Sequence, residues 1–388
     1  MEKLRLLGFE VSYNAIDNIR LKMNKMGFQL IDVPWVTGLD QSLLPSPKAK
    51  WFDAGEYWAT IGYKDKKWIK KLWLTYTECV ASFKPDLIVG DFSIESRIAA
   101  ELLKVPYLSI TQSCYHPNCK EGRLRWWEDV PKDKIDVKEE VNDVLQELNL
   151  NTINKLEELF TGDITVIPSF PEFDELVSTC NTTRFVGSIL WDGELDNSHS
   201  FNFADNVSNN IFVYPGRMHD FVGESGLSLI KWVNEYLGNT RYDIYVSCGF
   251  MDKIESIADF PILRENIRLV KWIPVENAYK NSKMVIHHGG HGSCMASIVF
   301  GTPSLVIPTH TEREYNARSL QNLNCGRYVL PQFISKQSFF ASFDEIMNEK
   351  TINQSLMYWQ SEIKRRKYNS VEQMENMIVE LLSKKSEV

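Results

Sequence analysis

The sequence predicts an α/β protein built from two doubly wound domains, each a parallel sheet covered by helices. Three observations support this fold class. Short apolar runs alternate with stretches of helical periodicity along most of the chain. The length of 388 residues suits two domains better than one core. A polar segment rich in Asp and Asn around Trp191 predicts the boundary between an N-terminal domain, residues 1–190, and a C-terminal domain with terminal helices, residues 191–388.

The N-terminal part contains one clear strand–helix–strand unit. The run "PDLIVGD" predicts a strand ending at Asp91, "IESRIAAELLK" a helix, and "VPYLSITQ" the next strand. A long amphipathic stretch from about residue 136 to 160 predicts a helix, and "DITVIPSFP" a strand ended by prolines. The segment 39–79 is rich in Trp and Tyr, which is typical either of a cleft for flat or apolar ligands, including sugars, or of a local core.

The alternation restarts in the C-terminal part. "GLSLIKWVNEYLG" predicts a helix, and periodic stretches after residue 338 predict the terminal helices. Five apolar runs predict strands: "NIFVYPGR", "YDIYVSCG", "IRLVKWIP", "KMVIHHGG" and "SLVIPTH".

Composition excludes several classes of function. The formal net charge of −8 argues against nonspecific nucleic-acid binding, which needs a basic surface. Seven cysteines are scattered without a CxxC motif, which favours buried thiols in a reducing compartment. No run approaches the ~20 apolar residues of a membrane span. The sequence therefore predicts a cytoplasmic protein.

The run "HHGGHGSCMASIVFG" follows a predicted strand and leads into a helix expected to begin near Ser293. The free N–H groups at such a helix end attract phosphate, and glycines let it approach the backbone closely. A bare glycine turn is one alternative. A zinc site of His287, His288 and His291 is another, disfavoured because neighbouring residues on a strand point to opposite faces.

The segment from Trp272 to Arg318 resembles the donor-sugar signature of the UDP-glycosyltransferase family, especially its bacterial macrolide and lipid glycosyltransferase branch. Weaker likenesses extend over nearly the whole chain, such as "PDLIVGDFSIESRIAAELLKVPYL" to the acceptor-domain unit. The residues that match the family pattern are Trp272 and Pro274, then His288, Gly290 and Ser293, then Gly301 and Pro303, and finally Pro308, Glu312, Arg313, Asn316 and Ala317.

The resemblance implies a GT-B fold, in which two Rossmann-like domains face each other across a cleft. It implies transfer of a hexose from a UDP-linked donor to a hydroxyl with inversion, without a cofactor or metal. Trp272 would stack on uracil, His288 and its neighbours would hold the diphosphate, and Glu312 would bind sugar hydroxyls. The expected donor-binding residues are Trp272, His288, Gly289, Gly290, Gly292, Ser293, Glu312, Arg313 and Asn316.

Three departures from the family pattern affect the expected chemistry. Ala296 stands where a glutamate often grips the ribose, and Glu312–Arg313 replaces an Asp-Gln pair. The family opens with a strand and a loop that carries the catalytic His. Here "MEKLRLLGFEVSY" matches only the end of the following helix and the next strand, so this first unit is expected to be missing.

Asp91 matches the acid that supports this absent base, and His116 and His310 are the candidate replacements for it. The resemblance therefore implies a chain that binds donor but transfers sugar poorly. Two alternatives stay open: a non-catalytic or truncated donor-binding homologue, and an epimerase of the UDP-GlcNAc type. The expected partners are a UDP-sugar and a small-molecule or lipid acceptor, with no nucleic acid and with room for peripheral membrane contact.

Overall fold

The computed structural model of the chain describes residues 1–15, 17–46, 50–120, 131–190, 203, 207–218, 225–248, 259–271 and 273–385. The strands are β1 Ser12–Tyr13, β2 Gln29–Leu30, β3 Ile88–Asp91, β4 Tyr107–Ile110, β5 Ile164–Ile167, β6 Thr183–Phe185, β7 Asn210–Tyr214, β8 Asp243–Ser247, β9 Ile267–Val270, β10 Met284–His287, β11 Ser304–Val306 and β12 Gly326–Tyr328. The helices are α1 Glu2–Leu6, α2 Asp17–Lys25, α3 Ala54–Thr60, α4 Lys66–Ala81, α5 Ile94–Leu103, α6 Lys138–Glu147, α7 Ser225–Leu237, α8 Val275–Lys280, α9 His291–Phe300, α10 Thr311–Asn322, α11 Lys336–Asn348, α12 Lys350–Arg366 and α13 Ser370–Lys385.

The N-terminal half, up to residue 190, carries a parallel sheet in the order β3-β4-β5-β6 and a separate parallel pair, β1-β2. The predicted strand–helix–strand unit is confirmed as β3, α5 and β4. Asp91 is the last residue of β3 and therefore lies at the carboxyl edge of this sheet.

The C-terminal half, from residue 203, carries one parallel sheet in the order β12-β11-β10-β7-β8-β9. The chain runs outward from β7 through β8 to β9 and then returns to the other side of β7 as β10. The five predicted strands are confirmed. The sequence missed β12, because three residues beginning with glycine at a sheet edge give no periodic signal.

The long helix predicted from about residue 136 to 160 is wrong in extent. Helix α6 ends at Glu147, and Asn149 takes a left-handed conformation that stops it. The side chain of Asn142 then bonds both the N–H and the C=O of Ile153, which stabilises the return of the chain. A short 3₁₀ helix, Leu156–Phe160, completes the segment.

The Trp- and Tyr-rich segment forms a core rather than an open cleft. Trp51, Trp58, Tyr63 and Trp73 are all buried in one apolar cluster. Trp58 packs edge-to-face on Tyr63 at 6.3 Å, a geometry that adds to the burial of aromatic area. This cluster supports β3 and the loop that follows it, because Phe92 and α5 pack against the same side chains.

The last helix joins the two halves. Ile378 and Leu381 of α13 pack against Leu108 and Val166 of the N-terminal sheet, although the prediction placed the terminal helices with the C-terminal domain. The division at residue 191 itself stays a prediction, since residues 191–202 lie outside the described ranges. Within those ranges, no helix has the length and apolar character needed to cross a bilayer.

Candidate functional site

The glycine-rich turn lies where the C-terminal sheet reverses its strand order. His287 at the end of β10 pairs in register with Tyr214 at the end of β7, and the two strands are neighbours with chain connections running in opposite directions. Ligands of doubly wound sheets bind at this crevice, at the carboxyl ends of the strands. The fold therefore places residues 288–290 at the expected binding position.

The turn is held tightly against α10. Gly289 has a φ of +95°, and a side chain there would come within 2.7 Å of the carbonyl oxygen of Arg313. Asn316 donates from Nδ2 to the carbonyl of Gly289 at 3.1 Å. Helix α9 begins at His291, two residues earlier than predicted, so its first turn follows the glycines directly. The first N–H groups of a helix lack partners in the preceding turn, which applies here to His291 and Gly292. The N–H of Ser293 donates to the carbonyl of Gly290 at 3.0 Å.

The side chain of His288 lies between the end of β7 and the start of α9. Its Nδ1 lies 3.4 Å from the carbonyl oxygen of Tyr214. Its Nε2 lies 2.9 Å from the point where a Cβ of Gly290 would be, which places this nitrogen beside the start of α9. Burial lowers the pKa of His288, and the charge of Arg313 lowers it further, which favours the neutral ring.

His287 is buried and bonds the backbone of the glycine-rich turn. Its Nδ1 accepts from the N–H of Gly289 at 3.1 Å, and burial lowers its pKa to about 3. The three histidines of the run make different contacts, His287 to the turn, His288 to β7 and His291 to Asp174. No group of three His, Cys, Asp or Glu side chains able to hold a metal occurs in the described part of the chain.

Glu312 and Arg313 lie in the first turn of α10, beside the glycine turn. Asn316 donates to Glu312 at 2.6 Å, and Gln112 of the N-terminal half also donates to this carboxylate. Burial raises the pKa of Glu312, although Asn316 and Arg313 oppose that shift. The guanidinium of Arg313 bonds the hydroxyl of Thr309 and brings positive charge next to His288. The cluster thus combines a carboxylate for hydroxyls with a cation for an anionic group.

The N-terminal half makes several contacts with the beginning of α10 and the residue before it. The N–H of Trp51 donates to the hydroxyl of Thr311 at 2.9 Å, and its ring stacks on His310 at 5.4 Å. The hydroxyls of Ser113 and Tyr315 meet at 2.9 Å. The starts of α9 and α10 therefore lie directly against the N-terminal half.

Comparison with known proteins agrees with this architecture. Residues 250–364 match the family described as "Erythromycin biosynthesis protein CIII-like, C-terminal domain". The calicheamicin glycosyltransferase CalG4 superposes with a TM-score of 0.68 at 15% identity, over 98% of this chain and 92% of that one. Glycosyltransferase VinC in complex with DTDP gives 0.64 at 14% identity, over 98% and 94%. The fold is GT-B.

Curated relatives support the same assignment. NDP-glycosyltransferase YjiC of Bacillus licheniformis is 24% identical over 258 residues, which is 64% of this chain and 61% of that protein. Putative UDP-glucuronosyltransferase ugt-50 of Caenorhabditis elegans is 27% identical over 126 residues, 32% of this chain and 24% of that protein. The chain is similar to members of the UDP-glycosyltransferase family. The matched regions span a quarter of the nematode protein and less than two thirds of the Bacillus protein.

Most of the donor residues expected for a UDP-glycosyltransferase come together in the structure. Ser293 lies in the first turn of α9, and its carbonyl accepts from the hydroxyl of Tyr279. Ala296, at the position of the family's ribose-binding glutamate, is fully buried in an apolar cluster. Trp272 lies outside the described residues, so its stacking role stays a prediction. The residues grouped at the turn and α10 are His288, Gly289, Gly290, Gly292, Ser293, Glu312, Arg313 and Asn316.

The two candidate replacement bases, His116 and His310, both have a pKa that burial lowers. His116 is buried with both ring nitrogens engaged, Nε2 with the hydroxyl of Thr183 and Nδ1 with the N–H of Asn118, each at 3.1 Å. Burial lowers its pKa to about 4. His310 precedes α10 under Trp51, and burial together with Arg313 lowers its pKa well below the ordinary value. The role of His310 stays a prediction, whereas both ring nitrogens of His116 are engaged with protein groups.

Asp91, the expected partner of a base, lies at the open end of β3. The next residue, Phe92, has a φ of 50°, and its ring stacks on Phe160 at 4.8 Å, which turns the chain sharply at this point. Surrounding protein atoms raise the pKa of Asp91, and the charge of His291 opposes this shift. The sequence suggested His291 only as a ligand of the disfavoured zinc site and did not suggest Asp174. A third histidine in the run was visible, but nothing in "FPEFDE" indicated its partner.

Proposed function

We propose that this protein transfers a hexosyl group from a nucleoside diphosphate sugar, UDP-linked, to a hydroxyl acceptor with inversion. The observation that carries the proposal is the juxtaposition at the sheet's reversal point of His288, the start of α9 and the Glu312–Asn316 pair. Anion-binding and hydroxyl-binding groups then lie side by side, as a diphosphate sugar requires.

The diphosphate would lie against the first turn of α9. The N–H groups and the positive end of the helix dipole favour negative charge there, and His288 adds a hydrogen-bond donor at Nε2. Arg313 supplies the nearby positive charge. These fixed groups would stabilise the charge that develops on the leaving diphosphate, without reorganising during the reaction.

The sugar would lie between this turn and α10. Glu312 can accept hydrogen bonds from sugar hydroxyls, and Asn316 holds its carboxylate in place at 2.6 Å. The acceptor would enter from the side of Asp91, at the carboxyl edge of the N-terminal sheet. We keep a small-molecule or lipid alcohol as the acceptor class, a cytoplasmic location, and a reaction that uses no cofactor besides the donor.

The proposal that the donor nucleotide carries uracil is tested first. Calorimetry with UDP and with dTDP should give measurable binding, tighter for UDP. Radiolabelled hexose transfer to lipid and phenolic acceptors should follow from a UDP-hexose. Absence of binding for both nucleotides would refute a donor site at the glycine turn.

Epimerisation is distinguished by a separate incubation. UDP-GlcNAc alone should stay unconverted apart from hydrolysis. Conversion to its epimer without acceptor would contradict transfer. The relatives and solved structures compared above are named as transferases, which supports transfer rather than epimerisation.

A further inference from the structure

The side chain of His291, the first residue of α9, contacts the N-terminal half of the chain. His291 Nε2 lies 2.9 Å from Asp174 Oδ2. The ring meets Phe173 edge-to-face at 5.6 Å, which fixes its orientation. The two residues are 117 positions apart in the chain, so this contact exists only when both halves are in place.

Asp174 is built to remain an anion. It is fully buried, and it accepts from the N–H of Ser113 at 3.2 Å, from the Ser113 hydroxyl at 2.6 Å and from the Ser169 hydroxyl. Burial alone would raise its pKa, but His291 and these donors lower it below the ordinary value. A buried carboxylate held in this way orients an imidazole and stabilises its protonated form.

The ring of His291 also lies close enough to Glu312 and Asp91 for both carboxylates to act on it. The side chain is 10% exposed, and Nδ1 has no hydrogen-bond partner among the residues that the structure describes. Burial lowers the pKa of His291, but the carboxylates of Asp174, Glu312 and Asp91 raise it above the ordinary value of 6.5. By contrast, the pKa is lowered at His116, His287, His288 and His310.

We propose that His291 is the catalytic base of the transfer and that Asp174 is its positioning residue. The proposal rests on the function proposed above. The acceptor hydroxyl gives its proton to Nδ1 while its oxygen bonds to the anomeric carbon. The bond from that carbon to the donor phosphate oxygen breaks, and its electron pair leaves with the nucleoside diphosphate. Asp174 stabilises the imidazolium that results.

The charged groups around His291 determine how the reaction rate depends on pH. Asp174, Asp91 and Glu312 are the carboxylates that act on His291. Around Asp174, the side chains of Tyr315, Cys114 and Cys294 stay protonated because burial raises their pKa. A base works in its unprotonated form, so the rate should rise with pH through a pKa above 6.5 and then level off. Loss of the Asp174 charge should move this rise to lower pH.

Hydrolysis of the UDP-hexose is the readout, because water serves as the acceptor and no natural acceptor need be known. His291→Gln should lower the hydrolysis rate by about 10²–10⁴-fold, the contribution of a positioned base. UDP affinity, measured by calorimetry, should change little because the backbone of α9 is kept. Asp174→Asn should lower the apparent pKa of kcat/KM.

A matched control separates positioning from mere contact between the halves. Glu172 lies two residues before Asp174 and pairs with Arg366 through two hydrogen bonds, on an exposed part of the surface. Glu172→Gln should leave the pH profile unchanged. If it shifts the profile as Asp174→Asn does, Asp174 acts only through the contact between the halves.

The outcomes decide the proposal. Full hydrolysis in folded His291→Gln would overturn it, and so would UDP binding without any hydrolysis by the unmodified chain. A flat pH profile of the unmodified chain from pH 5 to 9 would overturn it even if the variants fail to fold. Lack of UDP and dTDP binding would instead refute the proposed function.

Discussion

His288→Ala should weaken binding of nucleoside diphosphate by the worth of one hydrogen bond to a charged group. His288 is 8% exposed, and its Nε2 lies beside the first turn of α9. Such a bond contributes about 1.5–3 kcal/mol. This corresponds to a Kd that is about 10- to 150-fold higher, since ~1.4 kcal/mol is tenfold. Calorimetry with UDP on both proteins measures the effect.

The same titration should report a proton. Burial and Arg313 lower the pKa of His288 and favour its neutral form, and its Nδ1 faces the carbonyl of Tyr214. A bound diphosphate favours the charged ring and so raises this pKa. Binding should then take up protons, and affinity should increase as pH falls through the bound-state pKa. Heats measured in buffers of different ionisation enthalpy give the proton number, which His288→Ala should reduce.

Asn210→Ala is the matched control for this prediction. Asn210 is a buried polar residue of the same sheet, but it lies at the opposite, amino end of β7. Its loss should lower the melting temperature and leave UDP affinity unchanged. Equal UDP affinities for His288→Ala and the unmodified chain would remove His288 from the phosphate site. An equal loss in Asn210→Ala would show a general loss of folding.

Three further predictions concern α10 and the pair of His291 and Asp174. Glu312→Gln should leave UDP affinity nearly unchanged but weaken UDP-hexose binding, because the carboxylate is assigned to sugar hydroxyls; an equal loss for UDP alone in competition binding would contradict that role. Asn316→Ala should lower the unfolding free energy in urea by about 1–3 kcal/mol, because the carbonyl of Gly289 loses its buried donor; an unchanged denaturation midpoint would show that this bond contributes nothing. The third prediction follows from the lowered pKa of Asp174 and the raised pKa of His291. The stabilisation from this pair should be complete between about pH 4 and 6.5, and it should be lost below pH 4 and as pH rises through the folded pKa of His291. Melting temperatures measured across pH should show this window, and Asp174→Asn should flatten it.

The sequence by itself determined most of the strands and helices and predicted a donor side of the site. Strand–helix alternation, the glycines after β10 and the spacing from Glu312 to Asn316 are local patterns, and local patterns decide where a helix begins and where a backbone can turn. A glycine-rich turn before a helix predicts a phosphate site, and the family resemblance assigns it to His288, Gly290 and Ser293, which stays a prediction. Errors at this level were the missed strand β12 and the extent of α6, which the left-handed Asn149 ends early.

The tertiary structure alone decided which distant residues share the cleft. His291 meets Asp174 across 117 residues, and Ser113 meets Tyr315 across 202, through side chains that carry no mark of their partners in sequence. Packing also decided that the aromatic segment around Trp51 is core and that α13 lies on the N-terminal sheet. These outcomes depend on how two sheets are placed relative to each other, which no local periodicity encodes.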